Sequence, residues 1–120
     1  MKKLFILLLG VFLVSGCSNK SEDNGLISYM EAKEKIINEG AIVVDVRTED
    51  EYNNNHIGGA VLLTLDTISE DTALGVIDSK DTPIIVYCQS GNRSSQALTK
   101  LEELGYTEVY DLGSINNWEE

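Results

Sequence analysis

The sequence predicts an α/β domain built on a central, mostly parallel sheet with helices on both faces. Three observations carry this. Short apolar, β-branched runs recur at Ala41–Asp45, Ala60–Leu63, Pro83–Tyr87 and Val109–Leu112, and each reads as a strand. Between them lie segments with helix-start signatures or helical periodicity, so strands and helices alternate, as parallel sheets require. Finally, 120 residues with 42% hydrophobic content leave room for one small domain with a single core.

The first residues stand apart from that domain. Lys2 and Lys3 form a basic start, Leu4 to Val14 is almost wholly apolar, and the small pair Ser15-Gly16 precedes Cys17. This is the n-region, h-region and cleavage-site order of a secretory signal, and the apolar stretch is short for a membrane span. Leu13-Val14-Ser15-Gly16-Cys17 also resembles the lipobox of bacterial lipoproteins. That resemblance implies an exported protein, diacylated at Cys17 and anchored to the outer face of the bacterial cytoplasmic membrane. Two acyl chains hold a protein at a bilayer stably where one is marginal. An ordinary signal peptide with an incidental cysteine, or an uncleaved anchor, is the alternative. The organisation expected is a lipoprotein-type signal peptide over 1–16, a flexible tether over 17–25, polar, small and aperiodic, and the folded domain over 26–120.

Within the domain, Leu26-Ile27-Ser28 is a short apolar entry. Ser28 and Glu31 have capping-box spacing for a helix through Asn38, closed by Gly40. The strand Ala41–Asp45 follows, and Thr48 with Glu51 repeats the box for a short helix that stops near Asn53-Asn54-Asn55. After the strand Ala60–Leu63, a helix is expected from Leu65 to Val76, with a turn over Asp78 to Asp81. Pro83–Tyr87 is a buried strand, Ser94 to Leu104 an amphipathic helix ended by Gly105-Tyr106, and Val109–Leu112 the last strand before Trp118.

Chemistry concentrates where the third strand meets its helix, at Cys88-Gln89-Ser90-Gly91-Asn92-Arg93-Ser94. The first N–H groups of a helix lack internal partners and carry partial positive charge, so such a turn favours an anion such as a thiolate. Cys88 is the candidate nucleophile, in a partly exposed, electropositive setting to which Arg93 adds a full charge. Gly91 lets the loop curl. In open parallel sheets ligands bind at the carboxyl ends of strands, where Cys88 lies.

Charge excludes some functions. Twenty acidic residues against nine basic give a net charge of −11, and loss of Lys2 and Lys3 with the signal would leave 20 against seven, or −13. No nucleic-acid partner is expected, since phosphate backbones would be repelled, and membrane attachment would rest on lipid rather than on a basic patch. Two cysteines in an exported protein suggest a disulfide. If Cys17 carries lipid, however, Cys88 is a lone thiol in an oxidising compartment, and a thiol-reducing protein partner becomes an expectation; a Cys17–Cys88 disulfide is the alternative.

Three blocks together resemble a known family. They are Val44-Asp45-Val46-Arg47 with Glu51-Tyr52 and His56-Ile57-Gly58-Gly59-Ala60; Val86-Tyr87-Cys88 with Ser90–Ser94 and Ala97; and Leu104-Gly105-Tyr106 with Val109–Gly113 and Trp118. In this order and spacing, over Leu26 to Glu120, they are similar to a single-domain rhodanese, a thiosulfate-type sulfurtransferase. The resemblance implies a Cys88 thiolate that takes the outer sulfur of a small donor as a persulfide and passes it to a thiol or cyanide acceptor, with Gln89 to Ser94 as the binding loop. Neither a metal nor an organic cofactor is implied, and a monomer is expected. Phosphatases and arsenate reductases of related fold need five residues between cysteine and arginine; here four intervene, a loop sized for one sulfur atom. A non-catalytic rhodanese-like module that binds a partner or senses oxidants is the alternative reading.

Supporting roles are blander. Asp45 and Arg47 end a strand near the loop, where an Arg47–Glu51 ion pair or loop bracing is expected. His56, the one histidine, reads as a structural residue tying its loop down. Gln89, Asn55 in place of a usual glycine, and Ser114 in place of the second glycine of a pair depart from the family pattern.

Overall fold

The computed structural model describes residues 25–119. Cys17, the signal segment and all but the last residue of the tether lie outside the described residues.

The chain enters along the sheet edge: Leu26 bridges Asp111, and the Asp111 N–H donates to the Gly25 carbonyl at 2.8 Å. Helix α1 (Tyr29–Glu39) starts at Ser28, whose hydroxyl accepts the Glu31 N–H while Glu31 accepts the Ser28 N–H. Gly40 closes it in the left-handed region at φ 71°. Strand β1 (Ile42–Asp45) leads to α2 (Glu49–Asn54), capped reciprocally by Thr48 and Glu51. Strand β2 (Val61–Leu62) is shorter than the expected Ala60–Leu63.

The helix expected from Leu65 to Val76 is broken. A 3-10 turn, Leu65–Thr67, is separated by extended Ile68 and Ser69 from α3 (Glu70–Val76). Hydroxyl chemistry explains the break. Ser69 accepts the Thr72 N–H as an N-cap, and Thr67 and Thr72 donate to the Thr64 and Thr67 carbonyls, local bonds that compete with a continuous helix. Strand β3 (Ile84–Cys88) is followed by α4 (Asn92–Glu103), which begins two residues before the expected Ser94. Strand β4 (Val109–Ser114) runs past the expected Leu112 to a 3-10 turn, Ile115–Asn117.

Among the described residues the sheet is fully parallel in the order β2-β1-β3-β4. Alternation along β3 divides the core. Ile84, Val86 and Cys88 face α3 and α4 with Val44, Val46, Ala97 and Leu101. Ile85 and Tyr87 face α1 with Val43, Ala32, Ile57 and Leu112. Helices therefore cover both faces, and β3 is buried throughout. Each large side chain taken from water there contributes about 1.5–3 kcal/mol. The chain runs from β1 outward to β2, then back past β1 to β3, so strand order reverses between β1 and β3. The carboxyl ends of those two strands, Asp45 and Cys88, frame the crevice where such sheets bind ligands.

Candidate active site

Gly91 is the N-cap of α4, with φ 102° and no side chain to offer. In most helices the N-cap side chain accepts the N–H of the third helical residue. Here the Cys88 sulfur takes that place: Sγ accepts the Ser94 N–H at 3.3 Å and the Gly91 N–H at 2.9 Å. The Ser94 hydroxyl in turn donates to the Gly91 carbonyl at 3.1 Å and holds the turn shut. The sulfur is thus the cap of its own helix.

Burial alone pushes the Cys88 thiol up, yet hydrogen bonding from Ser94 and from the N–H groups of Gly91 and Ser90 outweighs it and holds the thiol below its ordinary value. The partly exposed setting expected from sequence is corrected: Cys88 has no exposed surface, and the exposed residues are Gln89 and Ser90 beside it. Loosening this cradle has a definite sign. Ser94→Ala removes the hydroxyl that holds the Gly91 turn shut, loosens the N–H groups on the sulfur and shifts the thiolate titration midpoint upward, measured by thiolate ultraviolet absorbance against pH. A midpoint unmoved or lowered would contradict the assignment.

Of the two roles expected for Arg47, loop bracing is the one it takes, and Arg93 is the partner of Glu51. Arg93 donates through Nη1 and Nη2 to the two carboxylate oxygens of Glu51, at 2.8 and 3.1 Å. Hydrogen bonding from Arg93, then from the Thr48 N–H, holds Glu51 down at about 2. The expected Arg47–Glu51 pair is not formed. Asp45 and Arg47 are two apart and so share one face of the strand's continuation. Arg47 Nε and Nη2 grip both Asp45 oxygens at 2.7–3.1 Å, with 1% and 0% of the two side chains exposed.

This buried pair braces the loop from behind. Arg47 Nη1 reaches the Gln89 side-chain oxygen at 3.2 Å, and Nη2 reaches the Asn55 carbonyl at 2.6 Å. The Tyr87 hydroxyl donates to Asp45 at 2.6 Å and accepts the Ile57 N–H at 3.1 Å. On the far side the Ser114 hydroxyl donates to the Gln89 carbonyl at 2.7 Å. Asn55 is extended at φ −167°, a conformation open to any residue, so the usual glycine is not needed. His56 is exposed, stacks on Tyr52, and its Nδ1 lies 2.8 Å from the Tyr52 carbonyl. A carbonyl only accepts, so that nitrogen carries the proton.

Three members of the site escape sequence reasoning. Tyr87 read as strand filler and Ser114 as a departure. Asp111, also buried, accepts the Gly113 N–H at 2.8 Å across the bulge at Leu112 that lets β4 reach Tyr87 and Cys88. Burial raises the Asp111 acid, partly offset by Ser94 and Gly113. Its signal was a carboxylate inside an apolar run. Among the described residues, no group of three His, Cys, Asp or Glu side chains is placed to hold a metal ion.

Fold and site together define a parallel α/β domain in which a cysteine sulfur caps the helix that follows its own strand. Comparison with known proteins narrows the class: the rhodanese-like domain model matches residues 28–120, and the chain belongs to that family. Thiosulfate sulfurtransferase PspE of Escherichia coli K12 is 38% identical over 74 residues, 62% of this chain and 70% of that protein. Thiosulfate sulfurtransferase GlpE of Coxiella burnetii is 33% identical over 93 residues, 77% of this chain and 84% of that protein. Among solved structures, a rhodanese with anions from E. coli aligns with TM-score 0.61 at 30% identity, over 64% of this chain and 89% of that one. The human single-domain sulfurtransferase TSTD1 shares the fold, with TM-score 0.65 at 21% identity over 78% and 94% of the chains.

Proposed function

We propose that the domain is a sulfurtransferase that carries sulfur on Cys88. The observation that carries this reading is the sulfur held by two backbone N–H groups at the start of α4. With a donor such as thiosulfate, the Cys88 thiolate attacks the outer sulfur. A Cys88–sulfur bond forms, the donor's S–S bond breaks, and sulfite leaves with the electron pair. The anionic outer sulfur of the persulfide then lies among the loop N–H groups, which stabilise it as an oxyanion hole stabilises developing charge. A thiolate or cyanide attacks that outer sulfur and leaves as persulfide or thiocyanate, and the Cys88 thiolate returns. The relatives' names and 33–38% identity support this substrate class.

The purified, reduced domain is expected to turn over thiosulfate and cyanide many times and to gain one sulfur in intact mass, whereas Cys88→Ser does neither. Absence of turnover above that control, with no sulfur adduct, would end the proposal. Oxidation of Cys88 or capture of a partner without turnover would instead support a sensing or binding module.

Lys2, Lys3, the apolar Leu4 to Val14 and the Leu13–Cys17 motif support a second part of the reading: export, and attachment to the outer face of the cytoplasmic membrane by lipid on Cys17. Intact mass of the native protein extracted from membranes tests it, since diacylated Cys17 would be the first residue.

A further inference from the structure

We propose that Glu51 is a specificity-determining residue: its carboxylate occupies the Arg93 fork as a built-in anion that a charged sulfur donor must displace. The inference rests on Cys88 being the site of sulfur transfer. Arg93 commits both terminal nitrogens to Glu51. Arg47, the other guanidinium at the loop, is buried with its donors on Asp45, Asn55 and Gln89. The remaining loop side chains, Gln89, Ser90, Asn92 and Ser94, carry no charge. Arg93 is thus the cation a donor would meet, and its charge is already matched.

Glu51 is also fixed from behind. Its Oε1 accepts the Thr48 N–H at 3.0 Å and the Thr48 hydroxyl at 3.1 Å, so the carboxylate is held on the fork by the α2 cap. The pair is one-third exposed on each side, open to an entering anion. Glu51 stays ionised through the neutral range, so pH does not open the fork there. The cost of displacement falls hardest on a dianion, which gains most from Arg93 and is repelled most by Glu51.

Glu51→Gln separates charge from structure, because glutamine at this position still completes the capping box. In the Cys88→Ser background, which needs no turnover, Glu51→Gln is expected to tighten thiosulfate binding about two- to five-fold by calorimetry, the range of an exposed ion pair. The monoanion methanethiosulfonate should tighten by less. With Cys88 intact, the KM for thiosulfate should fall by a similar factor. Adding Arg93→Gln should erase the effect of Glu51→Gln. Unchanged or weakened thiosulfate binding, equal effects on both donors, or tightening that survives Arg93→Gln would overturn the proposal. A wild-type domain that binds thiosulfate but never turns it over would instead count against sulfur transfer.

Discussion

Arg47→Met is expected to destabilise the domain by about 3–5 kcal/mol, because it leaves the Asp45 carboxylate buried without its cation. Three further losses follow in the same substitution. The Gln89 side chain loses its donor, the Asn55 carbonyl loses Nη2, and the Tyr87 hydroxyl faces a carboxylate held by fewer partners. Against a total stability of about 5–15 kcal/mol for a domain of this kind, that change removes a large share. Urea unfolding followed by circular dichroism measures it, with an unchanged slope showing that the unfolded state is the same. Tyr87→Phe strips one acceptor from the Ile57 N–H and one donor from Asp45, and should cost less, about 1–3 kcal/mol. An Arg47→Met protein within about 1 kcal/mol of wild type would mean the pair contributes no more than an exposed one.

Gly91→Ala should reduce sulfur transfer about 100-fold while the domain still folds. Space is not the obstacle, since an added Cβ would lie 3.6 Å from the Gly113 Cα, an ordinary contact. The obstacle is φ 102°, a conformation costing an L-residue about 1–2 kcal/mol. Relief of that strain by turning the peptide would withdraw the Gly91 N–H from its 2.9 Å contact with the Cys88 sulfur. Loss of one preorganised donor to a developing anion costs about 100- to 1,000-fold in rate. Single-turnover persulfide formation, read by mass, reports the step directly. Gly75→Ala is the control: Gly75 sits in α3 with open space around its Cα, so it should keep activity and gain about 0.5–1 kcal/mol. Equal loss of rate in both variants would show that the effect is not local to the sulfur.

Both predictions turn on contacts that differ in how plainly the sequence announces them. Asp45 and Arg47 were visible as strand-end residues, and Cys88, Gly91 and Ser94 as a turn before a helix. Their pairing was not visible. Nearness along the chain suggested Arg47 with Glu51, four apart, but the capping box fastens Glu51 to Thr48 and turns it toward α4, while Arg47 points inward beside Asp45. Likewise the α4 start depended on Gly91 taking a positive φ, and the break before α3 on Ser69 serving as a cap. Each is a choice among local hydrogen bonds of similar strength, settled by what the rest of the fold leaves free.

Local pattern was enough for the alternation of strand and helix, the two capping boxes, the buried β3 and the cysteine at a helix start. Those features depend on neighbours within a few positions, where hydrophobic period and backbone chemistry act. Tertiary structure alone decided that the sulfur is wholly covered, that Gln89 is held between Arg47 and Ser114, and that Arg93 faces Glu51. These join residues 25 to 42 positions apart. Such contacts exist because the parallel crossovers bring the ends of β1, β3 and β4 side by side, and no periodicity along the chain records that meeting.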